Sequence, residues 1–101
     1  MNDISITELK ERMDRGEKLN LFDVREVHEY EVFNIGAELI PLSEFENRIS
    51  ELNHLKNEEI ILHCRSGQRS GKAKLMLEDA GFIKVRNLLG GMLEWQEKYG
   101  A

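Results

Sequence analysis

Ile60-Ile61-Leu62-His63-Cys64-Arg65-Ser66-Gly67-Gln68-Arg69-Ser70 decides how the rest of the chain is read: an apolar run closes on the only cysteine, and arginines, a glycine and two hydroxyls follow at once. The apolar run has the length of a buried strand, and from Gln68 onward the pattern is helical. Cys64 is therefore expected where a strand hands over to a helix N-terminus. Amide groups at a helix start lack intrahelical partners and favour negative charge, so a thiolate and an anionic substrate would both be stabilised there.

Downstream of this stretch, Ala73, Met76, Leu77 and Ala80 recur at helical spacing and Gly81 stands in the stop position. Residues 82–85 are expected to form a short strand. After Gly90-Gly91, Met92, Trp95 and Tyr99 share one side of a final helix and read as core. Upstream, a polar connection (residues 53–59) follows a helix whose apolar face is Phe45, Ile49 and Leu52, with Ser43 and Glu46 as its capping box. Residues 38–40 make a weak strand that Pro41 ends, and residues 26–32 a short helix burying Val27 and Tyr30. Residues 19–24 make a strand with Asp23 and Arg25 at its carboxyl end. The first helix is capped by Ser5 and Glu8, stapled by Ile4 against Leu9, and stopped at Gly16.

Strands alternating with amphipathic helices imply an α/β fold: one domain over residues 1–101, with a mostly parallel central sheet of about five short strands flanked by helices on both faces. Such sheets place ligands beyond the carboxyl ends of their strands, which would bring Asp23, Arg25 and Cys64 to one rim.

Composition narrows the function. The 101 residues carry a net charge of -5, which argues against nucleic acid as a partner because phosphate binding needs a concentrated basic surface. No apolar run is long enough to span a bilayer, and the N-terminus has neither the basic start nor the apolar core of a signal peptide, so the cytoplasm is the expected compartment. One cysteine makes no internal disulfide. His28, His54 and His63 lack metal-ligand spacing and one cysteine cannot complete a typical structural zinc site, so no metal is expected. A monomer is the default expectation.

Two arginines and a glycine within five residues of Cys64 are poor core material, which favours a reactive thiol over a buried structural one. Lowering a thiol pKa from about 8.5 to roughly 6.5 raises the thiolate fraction at pH 7 about 24-fold, but nucleophilicity falls about 8-fold, a net gain of about 3-fold. The larger role thus falls to Arg65, Arg69 and the loop amides, which would hold an anionic donor in line and stabilise the leaving group. Ser66 and Ser70 also suit ordinary helix capping, and Gly67 lets backbone amides approach a ligand. His63 is adjacent to Cys64, yet neighbours on a strand point to opposite faces, which argues against it as the base.

The whole chain resembles a single rhodanese domain, a sulfurtransferase fold that carries sulfur as a cysteine persulfide. The resemblance rests on Asp23-Val24-Arg25-Glu26 with Glu29-Tyr30, on Gly36-Ala37 with Ile40-Pro41, on residues 64–70, and on Gly90-Gly91-Met92 with Trp95. It implies that Cys64 accepts sulfur and that Arg65, Ser66, Gly67, Gln68 and Arg69 cradle it, with Asp23, Arg25 and Ser70 supporting the site. The implied partners are a small anionic donor such as thiosulfate and a protein sulfur donor or acceptor. One motif departs: the family usually shows Gly-His-Ile, a further residue and Gly-Ala, whereas this chain reads Phe33-Asn34-Ile35-Gly36-Ala37. A cysteine phosphatase would use a similar loop, but with five residues between cysteine and arginine. Here there are four, Arg65 to Gln68. A low-turnover sulfur carrier or regulatory binding module is the other alternative.

Overall fold

The computed structural model describes residues 1–100. Alternation along strand β3 (Ile60–His63) generates its two-sided core: Ile60, Leu62 and then Cys64 join one apolar cluster, and Ile61 joins the other. β3 lies centrally between β1 (Leu21–Asp23) and β4 (Val85–Asn87), and β2 (Glu38–Leu39) pairs with the outer side of β1. All three pairings are parallel, with Phe22 beside Leu62, Asp23 beside His63, and Leu62 beside Asn87.

Helices cover both faces, as the sequence pattern requires. Phe45 of α3 (Leu42–Arg48), Leu52 of the 3-10 helix Ile49–Leu55, and Ala73 and Leu77 of α4 (Gln68–Asp79) pack on Phe22, Ile60 and Leu62. Ile6 and Leu9 of α1 (Ile6–Asp14) and Met92 and Trp95 of α5 (Gly91–Tyr99) pack on Ile61 and Leu88. Each fully buried Ile, Leu or Phe here contributes about 1.5 to 3 kcal/mol of burial free energy. The remaining helix, α2 (Val27–Val32), follows β1.

Four strands are present among the described residues rather than about five. The segment nearest to a fifth is Ile4, which bridges in parallel to Leu88 through Ile4 N–H to Asn87 O (3.0 Å) and Leu89 N–H to Ile4 O (3.0 Å). The last strand also falls later than residues 82–85. The Phe82 amide closes the end of α4 on Leu77 O and that of Ile83 goes to Lys56 O, so pairing with β3 starts only at Val85.

Local capping differs in three places. Ser5 accepts the Glu8 amide at 3.1 Å, but the Glu8 carboxylate turns to Arg86 (2.7 and 3.0 Å) instead of back to Ser5. Ser43 caps nothing: the cap position falls two residues earlier, on Pro41, whose carbonyl takes the Glu44 amide (2.9 Å), so Ser43 stands inside the first turn of α3. Val27 is half exposed rather than buried, and Glu26 and Glu29 build a capping box at the start of α2. The departing Phe33–Ala37 connection is closed by Asn34, which accepts the Gly36 amide (2.9 Å) and donates to Tyr30 O (3.0 Å). Tyr30 Oη then donates to Ala37 O (2.6 Å).

Candidate active site

Cys64 is the first residue beyond β3, and its side chain is fully buried on the α3/α4 face. Its Sγ accepts the Gly67 amide at 3.1 Å and the Ser70 amide at 3.4 Å, and the Ser70 hydroxyl stands 3.3 Å away. Burial pushes the thiol up, but the Ser70 hydroxyl and the amides of Ser70, Gly67 and Ser66 outweigh it, leaving Cys64 below the ordinary thiol value. The loop therefore favours negative charge at the sulfur without a cation in contact with it.

Two other elements impose that geometry. The first amides of α5 hold the loop from outside, Met92 N–H on Cys64 O and Leu93 N–H on Arg65 O, both at 2.9 Å. A peptide plane points its C=O and N–H in opposite directions, so fixing these two carbonyls outward turns the amides of Arg65 and Ser66 inward, the second of which is among those that favour charge on the sulfur. So close a docking requires glycine: a Cβ on Gly91 would lie 2.5 Å from Arg65 O and 2.6 Å from Cys64 O, at a φ of +55°. Gly67, at φ +99°, makes the left-handed turn that starts α4. Asn87 braces the same turn from β4 through Nδ2 to Gly67 O (3.0 Å), and its Oδ1 accepts the Ser70 hydroxyl (2.5 Å).

The two loop arginines differ. Arg69 is held in a two-pronged pair with Glu29 of α2, at 2.7 and 2.8 Å, and this hydrogen bonding lowers the Glu29 carboxyl to about 2. Arg65 is exposed and makes no ion pair among the described residues. It lines a cavity of about 250 Å³ with His28, Val32, Phe33, Met92 and Gln96. Ser66 and Gln68 are exposed, and Gly67 is half-buried.

Asp23 and Arg25 reach the same carboxyl edge but lie across the sheet from the sulfur. Asp23 alternates with Phe22 and Val24, which face the α3/α4 cluster, so its carboxylate points to the other side. There it holds Arg25 Nε (3.1 Å) and Nη2 (2.8 Å), and Arg25 Nη2 also donates to Phe33 O (2.7 Å). The pair ties the loop after α2 to the sheet. His63 shares this face, with Nε2 3.9 Å from Asp23 Oδ2, and burial pushes it down to about 4, the nearby Asp23 opposing and Arg25 assisting. The expected separation of His63 from Cys64 is present.

Asn87 and the partner role of Glu29 were not legible as site features. Asn87 follows the alternating Lys84-Val85-Arg86 and lay outside a strand expected to end at Val85, so nothing in the sequence marked it. A larger cavity, about 530 Å³, lies at the other end of β1, among Leu19, Leu21, Leu52 and His54, away from the cysteine. Among the described residues no cluster of His, Cys, Asp and Glu has metal-site geometry, and no helix is long and apolar enough to cross a membrane.

A parallel α/β sheet that presents a cysteine in a ring of amides at its carboxyl edge defines a thiolate site of the strand, loop and helix type. The sequence profile of the rhodanese-like domain family matches residues 5–98, and the chain belongs to that family. It is 44% identical over 97 residues to YrkF of Bacillus subtilis, which is named as a sulfur carrier protein, covering 95% of this chain and 51% of YrkF. It is 32% identical over 101 residues to a protein of Allochromatium vinosum named sulfurtransferase, covering 94% of this chain and 88% of that one. The solved structure of the human single-domain sulfurtransferase TSTD1 superposes with a TM-score of 0.81 at 28% identity, covering 95% and 96% of the two chains. The chain spans about half or less of the length of the first curated relatives it matches.

Proposed function

We propose that this chain is a sulfurtransferase working through a persulfide on Cys64. The thiolate electron pair of Cys64 forms a bond to the sulfane sulfur of thiosulfate, the S–S bond of thiosulfate breaks, and its electron pair leaves with sulfite. A second nucleophile, cyanide or a thiolate, then bonds to the outer sulfur and the Cys64 thiolate returns, a two-step scheme that needs no cofactor. The observation that carries this reading is the set of amides directed at Sγ from Gly67 and Ser70. Such donors serve an attacking thiolate and then the terminal sulfur of a persulfide. A single thiol suits a reducing compartment, which is where we place the reaction.

In this scheme Arg65 draws in the anionic donor, and Ser66, Gly67 and Gln68 frame its approach. Arg69 acts on the donor only as half of its pair with Glu29, while Asp23, Arg25 and Ser70 hold the surrounding loops. That pairing favours a second reading, a sulfur carrier loaded by a protein persulfide, because one unpaired arginine is a weak site for a doubly charged small donor. A phosphatase fits less well: the loop closes directly on the sulfur, leaving little space for a phosphate cradle.

Incubation with thiosulfate followed by intact mass measurement tests the chemistry. One added sulfur atom is expected on the native chain and none on Cys64→Ser; no addition to the native chain, or equal addition to both, overturns thiosulfate as donor. Slow thiosulfate turnover alongside fast persulfide exchange with a protein would select the carrier reading.

A further inference from the structure

Ser70 faces two acceptors with one hydroxyl proton. Its Oγ is 3.3 Å from Cys64 Sγ and 2.5 Å from Asn87 Oδ1. The orientation of the Asn87 amide is fixed independently, since Gly67 O accepts only and must receive Nδ2 (3.0 Å), which leaves Oδ1 to Ser70. The Nδ2 bond to Gly67 O holds the side chain in place, and the backbone of Asn87 is anchored too. Its own N–H donates to Asp3 Oδ1 (2.9 Å), its carbonyl accepts the Ile4 amide (3.0 Å), and the residue is buried.

The three states of the sulfur use this arrangement differently. A protonated thiol can donate to Ser70 Oγ while Ser70 donates to Asn87, so every group is satisfied. In a persulfide, Sγ is bonded to a second sulfur and is a poor acceptor, and Ser70 again donates to Asn87. With a bare thiolate the sulfur and Asn87 Oδ1 compete for the one proton: if Asn87 keeps it the sulfur has only the Gly67 and Ser70 amides, and if the sulfur takes it Oδ1 is a buried acceptor without its donor.

We propose that Asn87 is a positioning residue for the Cys64 site: by accepting the Ser70 proton it disfavours the bare thiolate relative to both the protonated thiol and the persulfide. Asn87 thereby tilts the sulfur toward loading once a donor is present. The inference rests on the persulfide reading for its purpose, but the hydrogen-bond competition exists whether or not sulfur is carried.

The test is a double-mutant cycle read on the unloaded thiol, using the rate of iodoacetamide alkylation against pH. Asn87→Ala is expected to lower the thiol pKa by about half a unit to one unit, the worth of one neutral hydrogen bond. In a Ser70→Ala background the same substitution should move it by much less. The charged groups nearby, Arg65 on the loop, Arg69 on α4, Glu29 on α2 and Asp3 with Lys74 beside Asn87, are unchanged throughout the cycle. A raised pKa in Asn87→Ala, or an equal shift with and without Ser70, would mean that Asn87 only braces the loop and would overturn the proposal. Should Asn87→Ala not fold, Asn87→Ser, too short to reach Ser70, carries the same readout. Because no sulfur donor is added, failure of thiosulfate loading and failure of this cycle are separate results. With loading intact and at a pH above the thiol pKa, where the unloaded sulfur is a thiolate, the loading ratio at a fixed ratio of thiosulfate to sulfite should fall in Asn87→Ala by about three- to ten-fold, the same hydrogen bond expressed as an equilibrium.

Discussion

On one face of the carboxyl edge the Cys64 sulfur collects two amide N–H groups beside a hydroxyl, whereas one residue earlier, on the other face, both ring nitrogens of His63 are buried with no hydrogen-bond partner. Adjacent residues on one strand thus meet opposite environments, one that favours charge on the sulfur and one that disfavours it on the ring. The difference lies in what packs on each side. The sulfur faces the start of a helix with its unpaired amides. The imidazole faces the inside of an ion pair, Asp23 with Arg25, whose carboxylate is already occupied by Arg25 Nε and Nη2.

The largest contrast is expected from Cys64→Ser, which should abolish sulfur loading while changing unfolding free energy by less than about 1 kcal/mol, checked by intact mass and urea denaturation. His63 should do the reverse, governing stability and not chemistry. Its folded pKa of about 4 lies below the unfolded 6.5. The unfolded chain therefore takes up the proton first, and stability falls as pH drops from 6.5 toward 4. The loss is on the order of 3 kcal/mol. Urea midpoints measured from pH 7 to 4.5 should follow that slope in the native chain and lose most of it in His63→Leu.

Gly91→Ala attacks the charged-sulfur side without touching the sulfur. The added Cβ meets the carbonyls of Arg65 and Cys64, which should cost about 3 kcal/mol and slow loading together with it, seen as a lower melting temperature and a slower mass shift. Glu29→Gln is the smallest change. The pair with Arg69 is partly exposed, so about 1 kcal/mol or less is expected at neutral pH. That contribution is present above the unfolded carboxylate pKa of about 4.5 and is lost as pH falls toward 2. Freed from Glu29, Arg69 should lower the KM for thiosulfate about three-fold, the worth of a screened exposed charge. An unchanged KM would indicate that Arg69 does not reach the donor.

Much of this molecule is local in origin. The run from Ile60 to Ser70 was legible as strand, loop and helix because its apolar stretch, its glycine and the helical spacing behind it each act within a few residues. The helix stop at Gly81 and the final helix after Gly90-Gly91 were legible for the same reason. Strand β4 was misplaced because the Phe82 amide is spent closing α4, a competition between local motifs that a propensity pattern does not resolve. Ser43 failed as a cap because the chain docks on the sheet just before it, Leu42 N–H on Val24 O, and the helix starts behind Pro41 with Ser43 already inside its first turn.

By itself, then, the amino-acid sequence determined the α/β alternation, the one cysteine at a strand end and the four-residue spacing to Arg69, all properties of neighbours along the chain. Only the tertiary structure decided that Asp23 and Arg25 lie across the sheet from Cys64, that Arg69 is paired with a carboxylate 40 residues away, and that Asn87, 17 residues beyond Ser70, competes for its hydroxyl proton. Those contacts depend on strand register and on which helix covers which face. Both are set by the burial of the whole core, and no single stretch of sequence encodes them.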